Sequence, residues 1–255
     1  AAGAAYNDKN VAGANRIDYT GLTLTGADAG NYTLAAGAAE GAGTITRRTL
    51  TLDDVAAQTK TYDGNTAADA AKFRATLGNV VKGEENSVSA TATGAAYNDK
   101  NVARANTVHY TGVALTGTGT ANYTIAGTAQ GAGRITPKQL NLALAGGARF
   151  DKTYDGTANV TQTLKKGTDY TLTGFITGEG TDIILNSAVG TYADKNAGTK
   201  AVTFGGLSLT GTGAGNYVPD KTMLAGIGTI APRALTLGAV AAQTKTYDGT
   251  TAADA

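Results

Sequence analysis

The chain has 255 residues and a mass of 25.4 kDa, and Ala (49), Thr (43) and Gly (36) make up half of it. Glycine without a three-residue period and only 3 prolines exclude collagen, and 42% hydrophobic against 16% charged residues excludes ordinary disorder. The 21 basic and 20 acidic residues leave a formal charge of +1 with no basic run, so no nucleic-acid partner is expected, and no uninterrupted apolar stretch predicts membrane insertion.

Cysteine is absent, which removes disulfides and thiolate metal sites and suits a chain exported unfolded. With no start Met and no signal-like apolar block, the expectation is an internal piece of a longer protein.

In chain order the first landmark is Tyr6-Asn7-Asp8-Lys9-Asn10, a turn sequence. It recurs as Tyr97-Asn98-Asp99-Lys100-Asn101 and as Tyr192-Ala193-Asp194-Lys195-Asn196. A strand pattern follows over 17–25, where Ile17 and Tyr19 share one parity and Leu22 and Leu24 the other. The slip at Gly21, repeated at Gly112 and Gly205, predicts a β-bulge. Next come an Asn-Tyr pair (Asn31-Tyr32, Asn122-Tyr123, Asn216-Tyr217) and a Gly-x-Gly-x-Ile run ending at Ile45, Ile135 and Ile230. Short basic joints (Thr46-Arg47-Arg48, Thr136-Pro137-Lys138, Ala231-Pro232-Arg233) lead into alternating leucines at Leu50/Leu52, Leu140/Leu142 and Leu235/Leu237. The last landmark is Lys-Thr-Tyr-Asp-Gly: Lys60, Tyr62, Asp63 and Gly64, then Lys152, Tyr154, Asp155 and Gly156, then Lys245 to Gly249. The alanine-rich stretch Ala67 to Leu77 is compatible with a short helix.

Four landmarks in one order at one spacing define a unit of about 90 to 95 residues. The boundaries read as the second half of a repeat over 1–47, complete repeats over 48–137 and 138–232, and the leading fragment of another over 233–255. Short strands rich in Thr, Val, Ile and Tyr, with turns between them, predict an all-β chain of tandem immunoglobulin-like β-sandwiches forming an elongated rod. A β-solenoid and a strand-swapped fibre are the alternatives. No 20-to-30-residue period lies inside the unit, which disfavours the solenoid.

Eleven of the 12 tyrosines fall at the recurring positions 6/97/192, 19/110, 32/123/217 and 62/154/247. Rings placed so regularly are expected to fill a core otherwise poor in bulk; exposed sugar-stacking rings are the alternative. The Lys and Asp of the two motifs read as turn chemistry with surface ion pairs. Two sharper possibilities are calcium at the joints through Asp53, Asp54, Asp63 and Asp69, and a Lys–Asn cross-link. That link would use Lys9, Lys100, Lys195 or a YDG lysine with Asn10, Asn101 or Asn196. His109 has Asp18 and Thr203 as counterparts and builds no site. Ser87, Ser89, Ser187 and Ser208 sit in no nucleophile elbow, and the Gly-rich strings are loops rather than phosphate cradles. Neither an enzyme nor a cofactor is expected. Thr-x-Thr pairs (23/25, 49/51, 116/118, 171/173) do not recur at the spacing of an ice-binding face. Asn31, Asn122 and Asn159 begin glycosylation acceptor patterns.

Together the Lys-Thr-Tyr-Asp-Gly, Tyr-x-Asp-Lys-Asn, Asn-Tyr and proline-basic joint motifs resemble the YDG-type repeats of large, filamentous-haemagglutinin-like bacterial surface adhesins exported by a two-partner route. The resemblance covers the whole chain and implies an extracellular, cell-surface location and a role as the shaft of the molecule. The expected partners are neighbouring repeats, with identical chains in a fibre and surface glycans as further candidates. The function expected is a structural stalk or matrix-building segment. Multivalent carbohydrate binding and self-association by strand exchange are the rival readings.

Overall fold

The computed structural model describes residues 1–186 and 190–253; Ser187 and the last two residues of the 233–255 fragment lie outside them. The chain is all-β, with 39% of residues in strands and small sheets curled into half-barrels. The described residues contain no α-helix. They divide into two compact units, one of Ala1–Lys138 with Gly213–Tyr217, the other of Gln139–Thr212 with Val218–Ala255.

In the first unit the opening half repeat is one antiparallel sheet, Gly3–Tyr6 and Ala38–Ala42 flanking Arg16–Thr20. The repeat that follows builds a four-stranded mixed sheet. Thr107–Thr111 lies between Gly94–Tyr97 and Thr128–Thr136, antiparallel to both, and the far end of Thr128–Thr136 runs parallel to Gln58–Thr61. Three two-stranded pairs complete it: Arg48–Thr49 with Tyr123–Thr124, Thr51–Asp53 with Thr76–Gly78, and Ser89–Thr91 with Ala114–Thr116. Period-two alternation places Val108 and Tyr110 in the core, both fully buried, while His109 between them faces outward. Phe73 packs edge-on against Tyr110 at 4.8 Å, and Gln58 Nε2 donates to the Tyr110 hydroxyl at 2.7 Å. A core short of large aliphatics is thus filled by rings whose polar ends keep hydrogen-bond partners.

The second unit repeats the scheme. Lys152–Thr153 runs parallel to the end of Met223–Ala231, which pairs with Gly198–Gly205, which in turn pairs with Gly190–Tyr192. The register is conserved between the copies, Lys60 opposite Ile135 and Lys152 opposite Ile230. Ile184–Asn186 pairs with Ser208–Thr210, and Leu142 in Lys138–Leu144 pairs with Leu172 in Tyr170–Thr173. Phe150 and Phe204 pack edge-on at 4.7 Å within the core. The Gly-x-Gly-x-Ile run is required by close approach here. A Cβ on Gly228 would lie 1.9 Å from the Phe150 carbonyl oxygen, so only glycine lets that chain pass.

One expectation is borne out and one is corrected. The parity slip falls at left-handed glycines, Gly21 (φ 61°), Gly112 (φ 60°) and, one residue later than expected, Gly206 (φ 66°). Beyond the Thr20–Ala38, Thr111–Thr128 and Gly205–Met223 pairs, the Leu22, Val113 and Leu207 amides donate to the Gly37, Gly127 and Thr222 carbonyls, so two residues oppose one, as in a glycine bulge. Ala67 to Leu77 is no helix; it holds a single 3-10 turn, Ala70–Lys72, capped by Asp69, whose carboxylate accepts from the Ala71 amide. Burial of Phe73 and strand pairing of Thr76–Gly78 override the helical preference of alanine.

Candidate functional site

The Lys-Thr-Tyr-Asp-Gly sequence folds into a knot around its own lysine. Lys152 Nζ donates to Asp155 Oδ1 (2.8 Å), the Thr157 carbonyl (2.8 Å), Thr157 Oγ1 (3.2 Å) and the Asn159 carbonyl (2.9 Å). The ammonium also lies 5.3 Å from the centre of the Tyr192 ring. Lys60 repeats this with Asp63 (2.7 Å), both oxygens of Asn65 and the Ala67 carbonyl, 5.4 Å from the Tyr97 ring. Lys245 does so with Asp248, Thr250 and the Ala252 carbonyl. The chain turns back on Gly64, Gly156 and Gly249 at φ 83°, 83° and 73°, where L side chains are strained. The aspartate then accepts the amide two residues on, an Asx turn.

The Lys152 side chain is only 5% exposed, so this pair is more sheltered than the motif suggested, whereas the Lys245 pair is an open surface one. Lys152, then the amide and hydroxyl of Thr157, hold the Asp155 carboxyl down to about 2. For Asp63, burial pushes upward, but Lys60 and the Asn65 amide outweigh it and keep the group below its ordinary value. Tyr97 and Tyr192 are pushed up, chiefly by burial.

The Tyr-x-Asp-Lys-Asn loop is a second recurrent device. Asp8, Asp99 and Asp194 each accept the amide of the asparagine two residues on, at 2.7, 2.7 and 2.8 Å. In the first two copies Asn7 and Asn98 also cap the strand that follows. The third copy has Ala193 there and a loop one residue shorter. Lys9, Lys100 and Lys195, between the Asp and Asn of each copy, face outward.

Within the first unit these loops are gripped by Asn-Tyr loops. Asn122 Oδ1 accepts from the Val11 amide and Asn122 Nδ2 donates to Asn10 Oδ1, both at 2.9 Å. Asn216 does the same to Val102 and Asn101, again both at 2.9 Å. The partners lie 111 to 115 positions apart, so each clasp links one copy of the motif to the next. Tyr217 adds an edge-on contact with Tyr62 at 5.4 Å, and both rings are buried. Tyr123 is buried against Leu50 and Val88, and its hydroxyl donates to Glu84 at 2.6 Å. Glu84 also faces Lys9 at 3.8 Å.

Each Asn-Tyr loop is a short 3-10 turn, Ala29–Asn31, Thr120–Asn122 or Ala214–Asn216, followed by an extended tyrosine. The two clasped asparagines are withdrawn from solvent, whereas Asn31 is exposed and Tyr32 is 70% exposed.

The structure thus gathers the predicted residues into two groups. Lys60, Asp63, Gly64 and Tyr97 form one knot, and Lys152, Asp155, Gly156 and Tyr192 another; Asn101, Asn216, Tyr62 and Tyr217 form a joint, as do Asn10 and Asn122. Residues not singled out beforehand also carry the geometry. They are Asn65, Thr157 and Thr250 at the lysine, the Val11 and Val102 amides at the clasp, and Glu84. The offset of five residues from each lysine was visible in the sequence; the backbone amides left no signal.

Three sharper expectations meet other arrangements. No group of three or more His, Asp or Glu side chains converges among the described residues. An ammonium occupies the place beside Asp63 where a calcium ion would bind, and Asp69 caps a turn. No YDG lysine meets Asn10 or Asn101, whose side-chain oxygens are taken by Asn122 and Asn216. The Asn122 side-chain nitrogen, a predicted glycan acceptor, is spent in the clasp. His109 is an exposed strand residue.

The two complete β-sheet copies each carry a lysine knot, and asparagine clasps join consecutive copies of the motifs within the first unit, a tandem-repeat arrangement. The chain belongs to the YDG domain family, which it matches over residues 1–39, 46–131 and 136–223. No curated protein and no solved structure matches it.

Proposed function

We propose that this chain is a non-enzymatic structural segment, a stalk built from tandem immunoglobulin-like repeats of a secreted bacterial adhesin. It works outside the cell and carries a distal binding region, or contributes to extracellular matrix. Its partners are repeats of its own kind. The observation that supports this reading is the clasp. Motif residues close a copy around its lysine or grip the neighbouring copy, as in Asn122 with Asn10 and Asn216 with Asn101. Copies that interact with their neighbours make length proportional to copy number. The multivalent glycan reading gains little, because seven rings of the complete copies, Tyr62, Tyr97, Tyr110, Tyr123, Tyr170, Tyr192 and Tyr217, are buried and the eighth, Tyr154, is half-buried.

Small-angle scattering tests the proposal. The 255-residue chain is compared with longer chains carrying one and two extra copies of 138–232 inserted after residue 232. Equal increments in maximum dimension at constant cross-section are expected. Growth in cross-section, or a compact particle, would overturn the stalk reading.

A further inference from the structure

Near its start and at its end, each complete copy places neighbouring strands that run in the same direction. In the first copy Gln58–Thr61 lies parallel to the end of Thr128–Thr136, with Gln58 opposite Gly133 and Thr61 opposite Thr136. Just ahead of it, Arg48–Thr49 lies parallel to Tyr123–Thr124. In the second copy Lys152–Thr153 lies parallel to Ile230 and Ala231. The same bond closes both pairs: the Tyr62 amide donates to the Thr136 carbonyl and the Tyr154 amide to the Ala231 carbonyl, each at 2.8 Å. The second pair is stitched further along its entry. There the Phe150 amide donates to the Ile227 carbonyl at 3.3 Å and the Thr229 amide to Asp151 at 2.7 Å.

A chain held at both ends pulls Gln58–Thr61 towards its N-terminal side and Thr128–Thr136 towards its C-terminal side. Parallel neighbours loaded this way slide lengthwise, so their evenly spaced hydrogen bonds are strained together. Strands peeled from one end would lose the same bonds one at a time. Load crosses directly from the entering strand to the leaving one and bypasses residues 62–132, with the core around Val108 and Tyr110. The lysine knot adds to the grip. Lys152 is bonded to the Thr157 and Asn159 carbonyls, and that segment is pinned to Gly190–Tyr192. There the Val160 amide donates to the Gly190 carbonyl and the Tyr192 amide to the Ala158 carbonyl, both at 2.8 Å. The entering strand cannot slide without tearing its lysine from a segment anchored elsewhere. Close approach is built into the leaving strand as well: a Cβ on Gly131 would lie 2.8 Å from the Val55 side chain.

We propose that each complete copy is a mechanical clamp, whose parallel entering and leaving strands bear tension along the chain in shear. The Lys-Thr-Tyr-Asp-Gly and Gly-x-Gly-x-Ile sequences then share one task, because they are the two segments that meet in the clamp. This role rests on the stalk reading, since a stalk is where a copy is pulled by its flanks.

Single-molecule force spectroscopy in two directions is the test. Pulled by its ends, the 255-residue chain is expected to give two ruptures. Each releases roughly 250 Å of hidden length, at about 3.4 Å per residue over 62–132 or 154–229. The chain has no cysteine, so Ala57→Cys/Ala132→Cys supplies two unique handles, both at exposed positions beside the Gln58–Gly133 end of the pair. Pulling there peels the strands apart while releasing nearly the same residues. Because forced unfolding reports the barrier along the pull, rupture of the first copy is expected at a force several-fold lower than end to end. The same variant pulled by its ends is expected to match wild type. Equal forces in the two directions overturn the proposal, and so does a wild-type chain that lengthens end to end in small steps at low force. Scattering measures the unloaded shape, so a rod that yields easily would keep the stalk and lose the clamp, and a compact particle with strong ruptures would do the reverse.

Discussion

The ammonium of Lys152 lies 5.3 Å from the centre of the Tyr192 ring, joining the start of the repeat to a strand about 40 residues later in sequence. Replacing this lysine with methionine keeps the stem but strips Asp155 and two carbonyls of their shared donor. Lys152→Met is expected to be destabilising, because the covered Lys152 stem would no longer carry a donor to Asp155 and the Thr157 and Asn159 carbonyls. Tyr192→Leu, which retains bulk and loses the ring face and its hydroxyl, should be destabilising as well. Urea unfolding measures both, and a Lys152→Met midpoint equal to wild type would refute the role given to the knot.

Acid should loosen the knot within a definite window. The Asp155 carboxyl titrates near 2 in the folded chain and near 3.8 when released, so the unfolded state binds more protons between those values. The stabilisation is therefore complete above about pH 5 and lost as pH falls towards 2. Asp99, held low first by the Asn101 amide, and Asp194, held low first by Lys200, act in the same sense. Thermal unfolding followed against pH should show a flat region above pH 5 and a falling acid limb. Asp155→Asn should lower the plateau and flatten that limb.

The two clasps provide internal controls for each other. Asn122→Ala removes two hydrogen bonds, about 1–3 kcal/mol in all, and is expected to raise hydrogen exchange at the Val11 amide while leaving Val102 protected. Asn216→Ala should do the converse. Equal protection of both amides in both variants would show that the asparagines do not hold the joints.

Glycine substitutions should separate backbone strain from collision. At Gly156 an added Cβ meets nothing within 4 Å, so Gly156→Ala costs only the left-handed backbone, about 1–2 kcal/mol. At Gly228 the same methyl would collide with the Phe150 carbonyl, so Gly228→Ala should be markedly worse. Calorimetric midpoints of the two variants make the comparison.

The repeat, the strand-rich character and the positions worth watching were legible because the copies keep their landmarks in one order. Alternation alone placed Val108 and Tyr110 inside and His109 outside. What the sequence concealed was partnership. Asn10 and Asn122 look like ordinary turn residues, since a hydrogen bond across 112 positions leaves no local pattern. The slip at Gly112 was legible, because a glycine at a change of parity suits the left-handed residue of a bulge. Ala67 to Leu77 misled because propensity is a weak prior beside the burial of Phe73.

The knot around Lys245 is complete although Tyr247 beside it is 93% exposed and the fragment is not packed in a core. All its hydrogen-bond partners lie within seven positions of the lysine, so closing it demands little loop entropy. That locality bears on how such a chain reaches its native state. Residues 56–70 and 241–255 differ at a single position, and so close a duplicate invites a strand to pair with the wrong copy. A turn that ties itself off before distant strands arrive commits each copy to its own register, so proofreading against crossed repeats begins with eight consecutive residues.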